Sequence, residues 1–183
     1  MAELVLQSLY LFLPAYAANM APVVARRLNM FRSLDRPLDG GRTFRGQPLL
    51  GGHKTFRGVV VGLVAALFVA FLQRSAAAIG GLWPTLSLFP YEAHSPLLWG
   101  GLLGGGALLG DIAKSFVKRR FGIPPGRRWF PWDQVDLILG AVLLGRILYP
   151  FSWATIVTVL ILTPLLGLLV NVGSYMLSMK EAW

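Results

Sequence analysis

Apolar stretches long enough to cross a bilayer recur along this chain, and almost all of its charge falls in blocks between them. Soluble domains spread charge over every exposed element and keep about a quarter of their residues charged. Here 14% are charged and 55% are hydrophobic. Inside hydrocarbon the backbone must satisfy its own hydrogen bonds, so apolar runs of this length have to be helices. The expected fold is an all-α polytopic membrane protein, a single domain over 1–183 with about five transmembrane helices.

The first span covers 4–25 and is interrupted by Pro14 and Pro22. It reads as one kinked helix, since neighbours can satisfy the carbonyls that a membrane proline frees. Arg26 and Arg27 follow it where a signal-peptidase site would need small residues, so the run is expected to remain as a span. The second span covers 58–79, with Arg74 snorkelling at its far end. Trp83, Phe89 and Tyr91 come next and read as an interfacial aromatic belt. The third span, 96–113, carries Gly100, Gly101, Gly104, Gly105, Gly106 and Gly110. Small residues at that spacing let backbones approach, which predicts a central helix. A fourth span, 133–149, is short for a hydrocarbon core of about 30 Å. A fifth covers 151–177.

The loops 26–57 and 114–132, with Lys180, hold fifteen of the seventeen Lys and Arg residues. Basic residues gather on the cytoplasmic side of membrane proteins. The count therefore predicts an outside N-terminus, two long basic cytoplasmic loops and a multi-pass cell-membrane protein with its active site on the cytoplasmic side. The same skew accounts for the net charge of +9 without a nucleic-acid partner. The absence of cysteine excludes disulfides, thiolate metal sites and a cysteine nucleophile.

The chemistry concentrates in 110–136, which holds three of the eight acidic residues and six of the seventeen basic ones. Asp133 and Asp136 are three apart and share a helix face. Asp136 falls inside the membrane end of the fourth span, where a charge is costly and usually functional. Asp111 lies at the matching end of the third. Helix capping would explain Asp133 after Pro131-Trp132, but not Asp136 or Asp111. Carboxylates without His or Cys suit a hard cation, Mg2+, which fills its shell with water and substrate phosphate oxygens.

The cations of the segment are either ordinary cytoplasmic-side charges or phosphate ligands. Lys114 and Lys118 are at i, i+4, Ser115 follows Asp111 by the same step, and Arg128 follows a double proline and a glycine. Their interleaving with carboxylates favours the second reading, because a metal–polyphosphate site needs both signs close together. At the mouth of the second span, Gly51-Gly52-His53-Lys54-Thr55-Phe56-Arg57-Gly58 supplies Gly52, Lys54, Thr55 and Arg57 as further phosphate candidates. The Walker spacing is absent. A small transporter using Asp136 as an intramembrane relay is the non-enzymatic alternative. It calls for polar residues deep in several spans, and the second and fifth are nearly featureless.

The order Gly110-Asp111, Ser115, Lys118-Arg119, Gly122, a Pro/Gly-rich loop and then Asp133-Gln134-Val135-Asp136 resembles the signature of the CTP-dependent cytidylyltransferases of membrane lipid synthesis, the CDP-diacylglycerol synthases. Within that group the chain is more similar to the archaeal CDP-archaeol synthases. Pro131-Trp132-Asp133-Gln134-Val135-Asp136 matches their P-x-D-Q-x-D element, and Gly51 to Gly58 matches their G-x-x-K-T-x-R-G element. The bacterial K-D and P-G-H-G-G elements are replaced by Ile123 to Trp129, so one bacterial metal ligand has no counterpart here.

The resemblance implies transfer of CMP from CTP to a geranylgeranyl ether lipid phosphate, giving CDP-archaeol and pyrophosphate. It implies Mg2+ on Asp111, Asp133 and Asp136, with Lys118 beside them in the catalytic group. Gly52, Lys54, Thr55, Arg57, Lys114, Ser115 and Arg128 would face CTP and its phosphates. The lipid tails would lie in a groove open to the bilayer. Other phospholipid transferases fit less well: the D-G-x-x-A-R series of the CDP-alcohol phosphotransferases is missing, and an acyltransferase has no need of the Asp133/Asp136 pair.

Overall fold

The computed structural model describes residues 1–125, 127 and 129–176. Helix α1 (Ala2–Leu11) and helix α2 (Leu13–Arg27) meet at a bend of 56°. The break falls at Phe12, and Pro22 lies within α2 without ending it. Pro14 sits in the first turn of α2, where a missing N–H costs little. It cannot donate to the Tyr10 carbonyl one turn back. That carbonyl instead accepts from the Gln73 amide. Phe12 is fully buried and stacks on Phe151, ring centres 5.2 Å apart.

The stretch between α2 and α3 (Phe56–Ile79) is mostly irregular, with a 3-10 turn at Arg32–Leu34. It also holds a small antiparallel hairpin, β1 (Thr43–Phe44) with β2 (Gln47–Pro48). Thr55 caps α3, its hydroxyl accepting from the Gly58 N–H at 3.2 Å. The short α4 (Trp83–Leu86) precedes the long α5 (Pro96–Arg120), α6 (Trp132–Gly145) and α7 (Trp153–Met176).

A helix therefore occupies each segment expected to span. By length and hydropathy, α3 and α5 are apolar enough to cross a membrane singly, and α1 with α2 qualifies as one bent span. Helix α6 has 14 residues, about 21 Å at 1.5 Å per residue, which is short of a core about 30 Å thick. Helix α5 does not stop near 113. It continues to Arg120 and carries Lys114, Ser115 and Lys118 with it. The residues expected in a loop are thus held on a rigid helix, which fixes their spacing.

Helix α5 is central because its glycines serve two neighbours. A methyl group at Gly100 would lie 2.8 Å from Ala66 O and Ala70 Cβ of α3, and one at Gly104 would strike Ala66. On its other side Gly106 and Gly110 press against Gly140 and Asp136 of α6. Such close approach is what small residues allow when hydrocarbon offers no hydrophobic drive between helices.

Phe89 and Tyr91 belong to the core and not to an aromatic belt, at 3% and 5% exposed. Phe89 stacks on Trp99 with ring centres 4.0 Å apart. The Tyr91 hydroxyl donates to Gln73 Oε1 at 2.8 Å. A buried partner for the hydroxyl and a ring face for the phenyl remove the reason to stay at an interface.

Candidate active site

The contact of Gly110 and Gly140 with the facing backbones brings the C-terminal part of α5 beside the N-terminal part of α6. Asp111, Asp133 and Asp136 are drawn together there around one ammonium. Lys114 Nζ lies 3.2 Å from Asp111 Oδ1, 3.1 Å from Asp133 Oδ1 and 2.8 Å from Asp136 Oδ2. Lys54 reaches in from the loop before α3 and donates to Asp111 Oδ2, 57 positions away in the chain. Lys118 donates to Asp133 Oδ2 at 2.8 Å and to the Arg127 carbonyl. Asp133 also accepts from the Trp129 N–H, which ties the loop before α6 to the network. Three carboxylates thus alternate with three ammonium groups. Burying so many charges costs desolvation that pairing only partly returns, so their concentration here points to chemistry more than to stability.

Two hollows flank this network. A cavity of about 230 Å³ between α2, α3 and α5 is lined by Asn19, His53, Lys54, Thr55 and Asp111 among others. A groove of about 580 Å³ between α5 and α6 has Lys114 and Asp136 in its wall, with Val117, Phe121, Leu139 and Leu143 as apolar lining. The smaller hollow sets polar and charged groups among apolar ones, and the larger is lined almost wholly by apolar side chains. Lysine and aspartate pairs separate them.

The remaining candidates divide. Gly52 lines a neighbouring cavity of about 270 Å³ with His53, Thr55 and Arg57. Arg57, 5% exposed, does not face the aspartates: its Nη2 lies 2.9 Å from Asp35 Oδ2 and its Nη1 donates to the Met30 carbonyl. Ser115 is buried and its hydroxyl donates back to the Asp111 carbonyl at 2.8 Å, an intrahelical bond. Arg128 lies outside the described residues.

Sequence reasoning passed over two contributors. Asn19 is the lone amide on α2 and lines the smaller cavity; an amide among the apolar residues of that helix was its only signal. Asp39 anchors the loop that carries Gly52 and Lys54, its carboxylate accepting from Gly41, Leu50 and Gly51 N–H groups at 2.9, 2.9 and 3.3 Å. Burial pushes the Asp39 pKa up, but these backbone donors outweigh it and hold the carboxyl below the ordinary value. Arg120 fixes the hairpin to α5 by donating to the Phe44 and Pro48 carbonyls at 2.8 and 2.6 Å.

The donors at the centre are all carboxylate oxygens, the kind Mg2+ takes. As the side chains stand, no group of three His, Asp or Glu among the described residues is arranged to hold an ion by itself. The three carboxylates converge on Lys114. Mg2+ commonly takes only one or two carboxylates and completes its shell from substrate phosphate and water, so the donor set suits it in kind.

The whole chain, residues 1–183, matches the family model described as CarS-like CDP-archaeol synthase. The CDP-archaeol synthase of Thermofilum pendens is 38% identical over 97% of this chain and 80% of its own length. That of Halobacterium salinarum is 39% identical over 98% and 97% of the two chains, and that of Archaeoglobus fulgidus is 35% identical over 99% and 98%. A solved structure of an intramembrane enzyme for archaeal membrane lipid biosynthesis superposes with a TM-score of 0.73 at 33% identity, covering 92% of this chain and 94% of that one. On the family match, the identities over nearly full length and the shared fold, this chain belongs to the CDP-archaeol synthase family, the cytidylyltransferases of archaeal membrane lipid synthesis.

Proposed function

We propose that the chain transfers CMP from CTP to an unsaturated archaeal ether lipid phosphate carrying geranylgeranyl chains, releasing CDP-archaeol and pyrophosphate. The observation that carries this is the placing of the Asp111–Lys114–Asp133–Asp136 network between a small cavity that holds Asn19, His53, Lys54 and Thr55 and an apolar groove. A nucleotide suits the first hollow and lipid chains the second. Their phosphates would then meet at the charged wall.

In the reaction an oxygen of the lipid phosphate attacks the α-phosphorus of CTP. The bond from that phosphorus to the bridging oxygen breaks, and pyrophosphate carries the electron pair away. Little acid–base work is required of the protein, so positioning and charge neutralisation supply the rate. Lys54 stands in the wall of the smaller cavity and suits the CTP phosphates. Lys114, in the wall of the groove, suits the lipid phosphate. Lys118 holds Asp133 and the Arg127 carbonyl together. Asp111, Asp133 and Asp136 are the residues that would hold Mg2+, which when bound neutralises phosphate charge and stabilises the leaving pyrophosphate. The apolar walls keep water from the acceptor phosphate.

We also infer one membrane domain crossing five times, with α1 and α2 as a broken first span, an outside N-terminus and the network at the cytoplasmic face. The skew of the cations supports that orientation.

The test is pyrophosphate release by purified protein in detergent with CTP, Mg2+ and a geranylgeranyl ether lipid phosphate. Each component is omitted in turn, and ATP, GTP and UTP are compared. Release that requires all three is expected. Release independent of lipid, or a protein that binds no CTP, would sink the proposal and bring the transporter forward.

A further inference from the structure

One ammonium group stands where three carboxylates converge. Lys114 Nζ is within 3.2 Å of oxygens from Asp111, Asp133 and Asp136, while Lys54 and Lys118 each serve a single one of these carboxylates from the edge. Lys118 is tied down further by the Arg127 carbonyl. Lys114 is also the lysine in the wall of the apolar groove, next to Asp136. It combines a central position with a flexible four-carbon stem and open space beside it.

Resting on the function proposed above, we propose that Lys114 is the resident counter-ion of the carboxylate cluster, displaced into the groove between α5 and α6 by an arriving divalent cation and there engaging the acceptor lipid phosphate. A divalent ion using these carboxylates cannot share their centre with an ammonium group, because like charges at that separation repel strongly in a half-dry site. The repulsion moves the side chain that can move. The groove is where its stem can lie along apolar surface. The carboxylates stay neutralised before substrates arrive, and the ammonium is handed to the lipid phosphate only once the metal is in place. Lys114 is then a positioning residue toward the metal and a contact residue toward the lipid. The chemistry recognised is a phosphate monoester at the end of an apolar chain.

Lys114→Met keeps the length and removes the charge. Mn2+ alone, titrated into purified protein without nucleotide or lipid and followed by its EPR signal, is expected to bind this variant about tenfold more tightly than the wild type. At saturating CTP and Mg2+, the KM for the lipid phosphate is expected to rise about tenfold while the KM for CTP stays within about twofold. Unchanged or weaker Mn2+ binding overturns the displacement. A raised KM for CTP with an unaltered lipid KM overturns the assignment to the lipid phosphate.

If Lys114→Met does not fold, Lys114→Arg carries the test. A guanidinium holds the carboxylates more firmly and is expected to weaken Mn2+ binding; equal affinity overturns the proposal. The Mn2+ titrations need no substrate. A wild-type protein that binds Mn2+ as expected but turns over no CTP would therefore remove the reaction and leave the displacement standing.

Discussion

Gly110 of α5 lies so close to Asp136 of α6 that any side chain at 110 would collide with the Asp136 carbonyl oxygen. This glycine immediately precedes Asp111, so one backbone contact sets the distance between two carboxylates on different helices. Gly110→Ala is expected to push α6 away, destabilise by about 1–3 kcal/mol and lose more turnover than the stability change explains. Gly105→Ala meets no atom within 4 Å and is the matched control. Thermal midpoints in detergent, read beside pyrophosphate release, separate the two. Full activity in Gly110→Ala would mean the contact does not set the site.

Asp133→Asn and Asp136→Asn are each expected to lower turnover about 10²-fold or more while the protein stays folded and inserted. Asn keeps the shape and removes the charge that pairs with Lys114 and that the proposed Mg2+ would need. Steady-state rates at saturating CTP and Mg2+ test this, and wild-type rates in both variants would take the pair out of the reaction.

Lys54 and Arg57 are three residues apart but face different partners, Asp111 for one and Asp35 for the other. Lys54→Ala is expected to raise the KM for CTP about tenfold with a small change in thermal midpoint. Arg57→Ala is expected to cost about 1–3 kcal/mol of stability, as buried hydrogen bonds to charged groups do, with CTP affinity nearly unchanged. The reverse pattern would return Arg57 to the phosphate site.

Asp39 gives the loop a pH dependence whose sign is fixed. Its folded-state pKa lies below the ordinary value, because burial raises it and backbone N–H donors lower it by more. Its contribution is therefore complete above the unfolded pKa and is lost as pH falls through the folded one. Protection against hydrogen exchange across 38–52, read as the observed rate relative to the intrinsic rate at the same pH, is expected to fall as the pH drops below about 4. In Asp39→Ala protection should be low throughout, with no step in that range. A step that persists in the variant would assign the effect to another group.

Gln73 bridges the Tyr91 hydroxyl and the Tyr10 carbonyl that Pro14 leaves without its helical donor. Gln73→Leu should lower stability by about 1–3 kcal/mol without changing the KM for CTP. Neighbouring Arg74→Ala should do little to either. Thermal unfolding of both variants in detergent checks the contrast, and equal midpoints would leave the bridge without energetic weight.

Much of this was legible in residue order. Apolar runs set the helices because hydrocarbon leaves the backbone no other partner, and the glycines of 100–110 marked α5 as the helix others pack against. Asp111, Asp133 and Asp136 stood out because charge at a membrane end is expensive. Lys54, Lys114 and Lys118 stood out by lying among or opposite them. The prolines of 4–25 also marked a kinked first span: the bend falls at Phe12, two residues before Pro14, where a buried ring and an amide from α3 compensate it, while Pro22 is tolerated inside α2.

What the sequence by itself determined is the inventory, the helical class and the segments in which the charges lie, all of which follow from local periodicity and the cost of charge in hydrocarbon. Only the tertiary structure decided which cation meets which carboxylate. It put Lys54 on Asp111 across the chain, turned Arg57 to Asp35, folded Phe89 and Tyr91 inward and set Lys114 among three aspartates. Those choices depend on how closely α5 and α6 approach and on where one loop returns, and contacts between distant residues leave no mark on the spacing of either partner.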